Sequence, residues 1–323
     1  MSINDFVIDG LSRDEKYKKN QIWTIENHEK YSTLTERALD QKSINEEIFN
    51  LMRALNQQGV EDHTLCACPA GQGSLKTVLQ NMSGRLSALC DGSKVHYVEL
   101  GPEPVKTSRI LREISTTASV VDYTAIDINE SSRSHMHKAV SPFVTPNGSF
   151  NYLAADYRTV EAWKLAQGQD VTIITMLGFQ EGNELPVTTG RLIRNLSGGP
   201  TYIISEMQLF DEDQQDRIYT FYSNPNMVRF SELIAYQQGF EPLGAHEIQI
   251  VRLQMQGEWL HVAVTLQPVR NAQEEGYLLT NICLKYSAEQ FRRIRRLHGQ
   301  CEVIDEFMSG DRSVMYQVAK FGH

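Results

Sequence analysis

The stretch Tyr97-Val-Glu-Leu-Gly-Pro-Glu-Pro-Val-Lys-Thr107 is a short apolar run that passes through one glycine directly into a helical pattern, and it gives the clearest indication of the fold. Gly101 lets the backbone approach a ligand without a Cβ in the way. The next apolar run, Tyr123–Ile128, contains Asp127 near its end, 26 residues beyond Gly101. Ligands of open parallel sheets bind at the carboxyl ends of such strands. The pattern therefore predicts a site where the Asp127 carboxylate accepts hydrogen bonds from the hydroxyls of a ribose.

Apolar runs on both sides of this stretch indicate a parallel sheet. Each is short and bounded by turn residues, and helical patterns lie between them, as in βαβ units whose sheet is buried on both faces. The runs are His96–Leu100, Tyr123–Ile128, Phe150–Ala154, Val171–Leu177 and Tyr202–Met207. We therefore predict an α/β fold with a Rossmann-like, mostly parallel sheet.

The pattern changes on both sides of this core. A Ser43-x-x-Glu46 capping box predicts the start of an amphipathic helix, whereas residues 57–94 carry no assignable pattern. A polar, helix-like stretch at Asp211–Gly239 precedes three strand patterns, with a tight turn predicted at Gln256-Gly257. The strand patterns are His246–Met255, Glu258–Leu266 and Tyr277–Tyr286, and a helix from Ser287 to Leu297 and strands at Cys301–Phe307 and Ser313–Lys320 follow.

Composition excludes several classes of protein. The 323 residues are 41% hydrophobic and 22% charged, which excludes a disordered tail and a fibrous repeat. Forty acidic residues against 31 basic ones give a net charge of −9, and one short basic cluster at 292–296 does not match a duplex-binding stripe. No apolar window could span a bilayer, and the first residues lack a secretion signal. We expect a cytoplasmic protein that binds neither nucleic acid nor membrane.

The cysteines indicate reduced thiols rather than a disulfide framework, because five of them occur at irregular spacing. His63 with Cys66-x-Cys68 lacks the second ligand pair of a zinc site, so we expect no bound metal.

The glycine loop also discriminates between two nucleoside cofactors. A dinucleotide places its pyrophosphate on a helix N-terminus through G-x-G-x-x-G, but here one glycine is followed by Pro102, Glu103 and Pro104. Glu103 would oppose a pyrophosphate. S-adenosylmethionine has no phosphate and carries a positive sulfonium, which acids such as Glu99 and Glu103 favour. The loop therefore favours S-adenosylmethionine over NAD.

A series of short motifs, in order along the chain, resembles the histidine-specific methyltransferase family of ergothioneine biosynthesis. The family includes fungal relatives that methylate dimethylallyltryptophan, and this chain looks like a divergent member. The motifs are Asp9-Gly-Leu11, Glu29-Lys-Tyr-Ser-Thr-Leu-Thr-Glu36, Glu99-Leu-Gly-Pro-Glu-Pro-Val-Lys-Thr107, Tyr123-Thr-Ala-Ile-Asp127, Ala155-Asp-Tyr157, Met176-Leu-Gly-Phe-Gln-Glu-Gly-Asn183 and Leu279-Thr-Asn-Ile-Cys-Leu-Lys-Tyr286.

The resemblance implies a class I methyltransferase core with a second α+β domain that covers the substrate. Residues 1–42 would be the N-terminal segment of the substrate domain, 43–207 the S-adenosylmethionine-binding core, 208–285 the substrate domain and 286–323 a C-terminal return to the core. Cofactor contacts would come from Glu99, Gly101, Lys106, Asp127, Asp156 and Tyr157.

The resemblance also assigns acceptor contacts. Tyr31 and Asn183 would hold the amine and carboxylate of an amino acid, and the Tyr31 hydroxyl could accept or relay the amine proton. The glutamate and serine that hold histidine in the family fall on Asn281 and Cys283. Positions two apart on a strand share a face, so both would point into the pocket. Loss of the carboxylate makes histidine an unsuitable acceptor.

These observations predict an S-adenosylmethionine-dependent methyltransferase of an amino acid or amino-acid-derived natural-product intermediate, with transfer to nitrogen. Two alternatives stay open: a C- or O-methyltransferase of a small aromatic metabolite, and an inactive methyltransferase-fold protein with a binding or regulatory role. The expected partner is a small-molecule amine or amino acid, and the chain is expected to be a monomer or homodimer.

Overall fold

A computed structural model gives the structure and describes residues 2–26, 38–62, 71, 73–161, 165 and 168–322, with only the backbone of 38–42. The helices are α1 (Ile3–Leu11), α2 (Ala38–Glu61), α3 (Leu75–Leu89), α4 (Pro104–Ile114), α5 (Arg133–Val140), α6 (Pro186–Leu196), α7 (Gln215–Tyr222), α8 (Pro225–Gln237) and α9 (Ala288–Leu297). The strands are β1 (Ile22–Thr24), β2 (Lys94–Leu100), β3 (Val120–Asp127), β4 (Phe150–Ala154), β5 (Val171–Met176), β6 (Thr201–Gln208), β7 (Glu241–Pro242), β8 (Glu247–Met255), β9 (Glu258–Arg270), β10 (Glu275–Lys285), β11 (Cys301–Met308) and β12 (Val314–Phe321).

The larger sheet carries the predicted apolar runs. Within the described residues it has seven strands in the order β11-β12-β6-β5-β2-β3-β4. Strands β2 to β6 are parallel, while β12 pairs antiparallel with β6, and β11 with β12. Every residue of β2 after Lys94 is buried, as expected of a strand covered on both faces. The predicted α/β fold with a Rossmann-like, mostly parallel sheet is confirmed.

The smaller sheet contains strands from residues 1–42 and from residues 208–285, the two segments predicted to form the substrate domain. Its order is β1-β10-β9-β7, with β8 also paired to β9. Strand β1 lies parallel to β10, so residues from the start of the chain are hydrogen-bonded to a strand near its end. Gln256 and Gly257 both have positive φ, which fits the predicted tight turn between β8 and β9.

Three features differ from the sequence predictions. The stretch predicted as one helix is two, α7 and α8, because Pro225 cannot continue a helix and Asn224 caps the second one through its side chain. Ser43 is not a helix cap, since the helix-forming residues before it let α2 begin at Ala38. The unassigned segment 57–94 contains α3, which starts at the capping residue Ser74.

No helix in the described part of the chain is both long and apolar enough to cross a membrane. Within the same part there is no cluster of three or more metal-ligating side chains. His63, Cys66 and Cys68 lie outside the described residues. Cys90, Cys283 and Cys301 are buried free thiols.

Candidate functional site

A cavity of about 220 Å³ lies where the carboxyl ends of the parallel strands meet the smaller sheet. Its wall comes from the residues that follow β2, β3, β4 and β5, from helices α2, α7 and α8, and from β10. Strand β2 pairs with β3 on one side and with β5 on the other, so the strand order reverses there. Such a switch point is where open α/β sheets bind their ligands.

Gly101 forms the turn that opens the cavity. Its φ is +67°, and an added Cβ would lie 2.9 Å from the side chain of Gln180. Its N–H donates to the carbonyl of Ile126, 3.1 Å away, which ties the turn to β3. The backbone conformation therefore favours glycine here, and an added Cβ would also have to displace the Gln180 side chain.

Glu103 occupies the N-terminus of α4. Its carboxylate accepts the backbone N–H groups of Val105 and Lys106 at 2.8 and 2.7 Å, and Pro104 has no N–H to offer. Glu103 is buried and lines the cavity. The donors that would bind a pyrophosphate are already satisfied by the protein's own anion, which supports the prediction against a dinucleotide.

Asp127 lines the cavity at the end of β3. One of its oxygens accepts the backbone N–H of Asn129 at 3.0 Å. Burial raises the pKa of this carboxyl to about 6, although hydrogen bonds from the backbone of Asn129 and Ile128 oppose the shift. No described lysine or arginine forms an ion pair with it. The group is suited to accept hydrogen bonds from a diol.

Asp156 and Tyr157 line the cavity beyond β4. Asp156 caps the short turn Tyr157–Thr159 and binds the guanidinium of Arg158, with the closest contact 2.6 Å. The Tyr157 hydroxyl accepts from Gln180 Nε2 and donates to Glu184 Oε1, each at 3.1 Å. These side chains form one polar network along the wall.

Two residues predicted to bind the cofactor lie behind the cavity instead of lining it. Glu99 accepts hydrogen bonds from the Glu103 N–H, the Thr107 hydroxyl and the Tyr123 hydroxyl. Burial raises the pKa of Glu99 to about 8. Its contacts hold the turn that carries Gly101.

Lys106 is the second of these residues and is also buried. Its Nζ lies 2.5 Å from a carboxylate oxygen of Glu206 and 2.7 Å from Asn56 Oδ1. Glu206 also accepts the backbone N–H of Gly178 at 2.6 Å. The pair therefore connects α4 to the loop after β5, whose Gly178 lines the cavity.

Three of the four residues predicted to hold the acceptor lie on the wall of the same cavity. Asn183, Asn281 and Cys283 all line the cavity. Asn281 and Cys283 both face it, as strand alternation requires. Asn183 donates to Gln180 Oε1 at 3.4 Å. Tyr31 lies outside the described residues.

Two parts of the site were not predicted from the sequence. One is an aromatic wall, formed by Phe179, Phe221, Tyr222 and Phe230. Phe179 has a φ of 64°, a left-handed conformation that a bulky residue rarely adopts and that occurs at functional sites. The other part is Glu184, a buried carboxyl next to Asn183.

Comparisons with known proteins give a weak likeness to solved methyltransferases. No family model matches the chain, and no curated protein matches it. An S-adenosylmethionine-dependent methyltransferase from Clostridium acetobutylicum is 10% identical, with 76% of this chain and 92% of that chain covered and a TM-score of 0.40.

Two further structures give similar values. An Aquifex aeolicus SAM-dependent methyltransferase is 9% identical over 84% of this chain and 98% of its own, with a TM-score of 0.41. The Burkholderia thailandensis 1,6-didemethyltoxoflavin-N1-methyltransferase, with bound S-adenosylhomocysteine, is 8% identical over 85% and 88%, with a TM-score of 0.39. At such scores the fold assignment rests on the strand order of the larger sheet, and the resemblance to the histidine-specific family stays a prediction.

Proposed function

We propose that the chain is an S-adenosylmethionine-dependent methyltransferase. The observation that carries the proposal is the pairing of Asp127 with the Gly101 turn across one cavity at the switch point of the sheet. Asp127 would accept the ribose hydroxyls, and the turn would lie against the methionine end. Glu103 fits a cationic sulfonium and is incompatible with a phosphate at the same place.

The proposed acceptor is an amino acid or an amino-acid-derived natural-product intermediate other than histidine, methylated at nitrogen. Asn281 stands where the resemblance places a carboxylate for the imidazole, and Cys283 stands where it places a hydroxyl. Neither side chain can form the charged hydrogen bond that a ring N–H favours. The apolar wall beside them fits a larger, less polar group.

The chemistry requires orientation more than acid–base catalysis. S-adenosylmethionine supplies a methyl carbon on a sulfonium, and the carbon–sulfur bond breaks with its electron pair left on sulfur as the nitrogen–carbon bond forms. The protein must hold the nucleophile in line and exclude water, for which the aromatic wall is suited. Tyr31 is proposed to accept or relay the proton of the amine.

One observation favours the alternative of a C- or O-methyltransferase of a small aromatic metabolite. Phe179, Phe221 and Tyr222 give the cavity an aromatic lining that would hold a flat ring whatever atom is methylated. Fragmentation of the methylated product by mass spectrometry separates transfer to nitrogen from transfer to carbon or oxygen.

The direct test is calorimetric titration with S-adenosylhomocysteine. We expect the wild-type chain to bind it and Asp127→Ala to bind it at least about tenfold more weakly, because hydrogen bonds to a charged acceptor are lost. Absence of binding by the wild type, or equal affinity of the variant, would contradict the proposal. Binding without any methylated product would favour the inactive, regulatory alternative.

A further inference from the structure

The charges on the cavity wall restrict the acceptor. Among the described lining residues, the carboxyl groups are those of Glu103, Asp127, Asp156 and Glu184, and the single lysine or arginine is Arg158. The single guanidinium is already bound by the carboxylate of Asp156 through Nε and Nη2. S-adenosylmethionine brings one carboxylate together with two positive groups. An acceptor with a carboxylate of its own would meet no free cation on the described wall.

Glu184 differs from the other carboxyls on this wall. Glu103 binds the amides of α4, Asp156 binds Arg158, and Asp127 is assigned to the ribose. Glu184 is 9% exposed and accepts the Tyr157 hydroxyl, and it forms no ion pair with a described lysine or arginine. A buried carboxylate in this state lacks the compensation that burial normally requires. A cationic ligand would provide it.

Glu184 lies between the predicted cofactor residue Tyr157, whose hydroxyl it accepts, and the predicted acceptor residue Asn183. Burial raises its pKa, Arg158 lowers it, and Asp156 and Glu26 raise it. Glu26 follows β1, the strand that joins the smaller sheet, so the carboxyl faces the N-terminal segment as well as the core. Glu184 also follows Asn183 directly in the chain.

The aromatic wall supplies the second half of a recognition site. The rings of Phe179 and Phe221 lie 5.4 Å apart at 68°, and those of Phe221 and Tyr222 lie 5.1 Å apart at 87°. Aromatic groups pack favourably against such rings in edge-to-face or offset arrangements, so the ring of a ligand can add to this wall. Phe230 and Met227 of α8 extend the apolar surface.

We infer that the acceptor is a cationic arylalkylamine without a carboxylate, with its ammonium on Glu184 and its ring against the Phe179–Phe221–Tyr222 wall. This inference rests on the proposed function, narrows its acceptor class, and assigns to Glu184 the proton acceptance that was proposed above for Tyr31. Glu184 takes one N–H proton of the ammonium, which leaves a neutral amine with a lone pair, and the neutral carboxyl then returns the proton to water. A raised pKa brings the carboxyl nearer to that of the amine and eases this transfer.

The test is a calorimetric titration of the full chain saturated with S-adenosylhomocysteine. The cationic probes are 2-phenylethylamine and tryptamine. Their neutral counterparts are 2-phenylethanol and tryptophol, and their amino-acid counterparts are phenylalanine and tryptophan. The variants are Glu184→Gln and, as a matched control, Glu212→Gln, an exposed glutamate on the turn before α7.

We expect at least one amine to bind about tenfold or more tightly than its alcohol and its amino acid. Glu184→Gln should abolish this preference, leave the affinity for S-adenosylhomocysteine unchanged and keep or raise the melting temperature, because it removes a buried charge, while Glu212→Gln changes nothing. Equal binding of amine and alcohol, tighter binding of the amino acid, or no binding of either amine would overturn the inference. A loss of S-adenosylhomocysteine affinity in Glu184→Gln would assign the residue to the cofactor and overturn it as well. Failure of the wild type to bind S-adenosylhomocysteine would instead contradict the proposed function.

Discussion

The Nζ of Lys285 lies 3.4 Å from the Sγ of Cys283, so a fully buried amine stands directly behind a thiol that lines the cavity. Its other polar partner is Gln208 Oε1 at 2.8 Å, and the rings of Phe179 and Tyr222 lie about 5 Å away. No described carboxylate forms an ion pair with it. Burial therefore lowers the pKa of Lys285.

This relationship predicts how stability depends on pH. Between the lowered pKa and the ordinary value of 10.5, the unfolded chain binds a proton that the folded chain does not, so the free energy of unfolding rises with pH. Relative to Lys285→Met, the wild type should gain up to about 1.4 kcal/mol per pH unit in that window. Urea denaturation of both proteins at several pH values measures the gain, and parallel pH profiles would contradict it.

Asp127→Asn should stabilise the protein without ligand while weakening cofactor binding. The pKa of Asp127 is raised from 3.8 to about 6, so its contribution to stability is present below about pH 4 and is lost as the pH rises through 6. Asparagine keeps an acceptor for the Asn129 N–H and removes the buried charge. At pH 7.5 we expect unfolding to cost about 2 kcal/mol more and S-adenosylhomocysteine to bind at least about tenfold more weakly. Urea denaturation and calorimetry are the measurements; a variant that loses stability as well as affinity would contradict the assignment.

Two glycine substitutions form a matched pair. Gly101→Ala should lower the free energy of unfolding by about 1–2 kcal/mol and weaken S-adenosylhomocysteine binding, since its φ is +67° and its Cβ would press on Gln180. Gly84 lies within α3 with nothing within 4 Å of its added Cβ. Gly84→Ala should raise the free energy of unfolding by about 0.5–1 kcal/mol and leave binding unchanged. Equal effects of the two changes in urea denaturation would mean that the Gly101 turn is not strained.

Arg295 and Glu181 form an ion pair that is buried beneath the turn Gln180–Asn183. Arg295 also donates to the Ser205 hydroxyl at 2.7 Å. Arg295→Met should lower the free energy of unfolding by about 3–5 kcal/mol, because Glu181 would stay buried without a counterion. Adding Glu181→Gln should recover part of this loss. Thermal and urea denaturation of the single and double variants measure the coupling, and additive losses would show that the pair does not act as a unit.

The sheet could be predicted because its strands leave a local signal. Parallel strands buried on both faces are continuous apolar runs, and Gly101 and Pro104 mark the end of β2 and the start of α4. The carboxyl end of β3 was predicted in the same way, from the apolar run Tyr123–Ile128. These features depend on neighbours in the chain and are therefore visible in the sequence.

The rest of the site depends on partners distant in the chain. Lys106 looks like a solvated residue at a helix N-terminus, but its partner Glu206 lies 100 residues later and buries it. The stretch that forms α7 and α8 begins with polar residues and is interrupted at Pro225, so its sequence does not reveal that Tyr222 on α7 and Met227 and Phe230 on α8 all line the cavity. Glu184 has no motif around it that marks a ligand contact.

The carboxylate of Glu103 on the first turn of α4 also determines which molecules the site rejects. ATP, AMP and NAD share the adenosine half of the proposed ligand, yet each would carry its phosphate toward a helix end already closed by a negative side chain. If the proposed site binds adenosine compounds, Glu103 would discriminate among them by the charge at the 5′ carbon. Nucleotides should therefore not occupy the cavity even when they are abundant, and it should stay available to a ligand that carries a sulfonium.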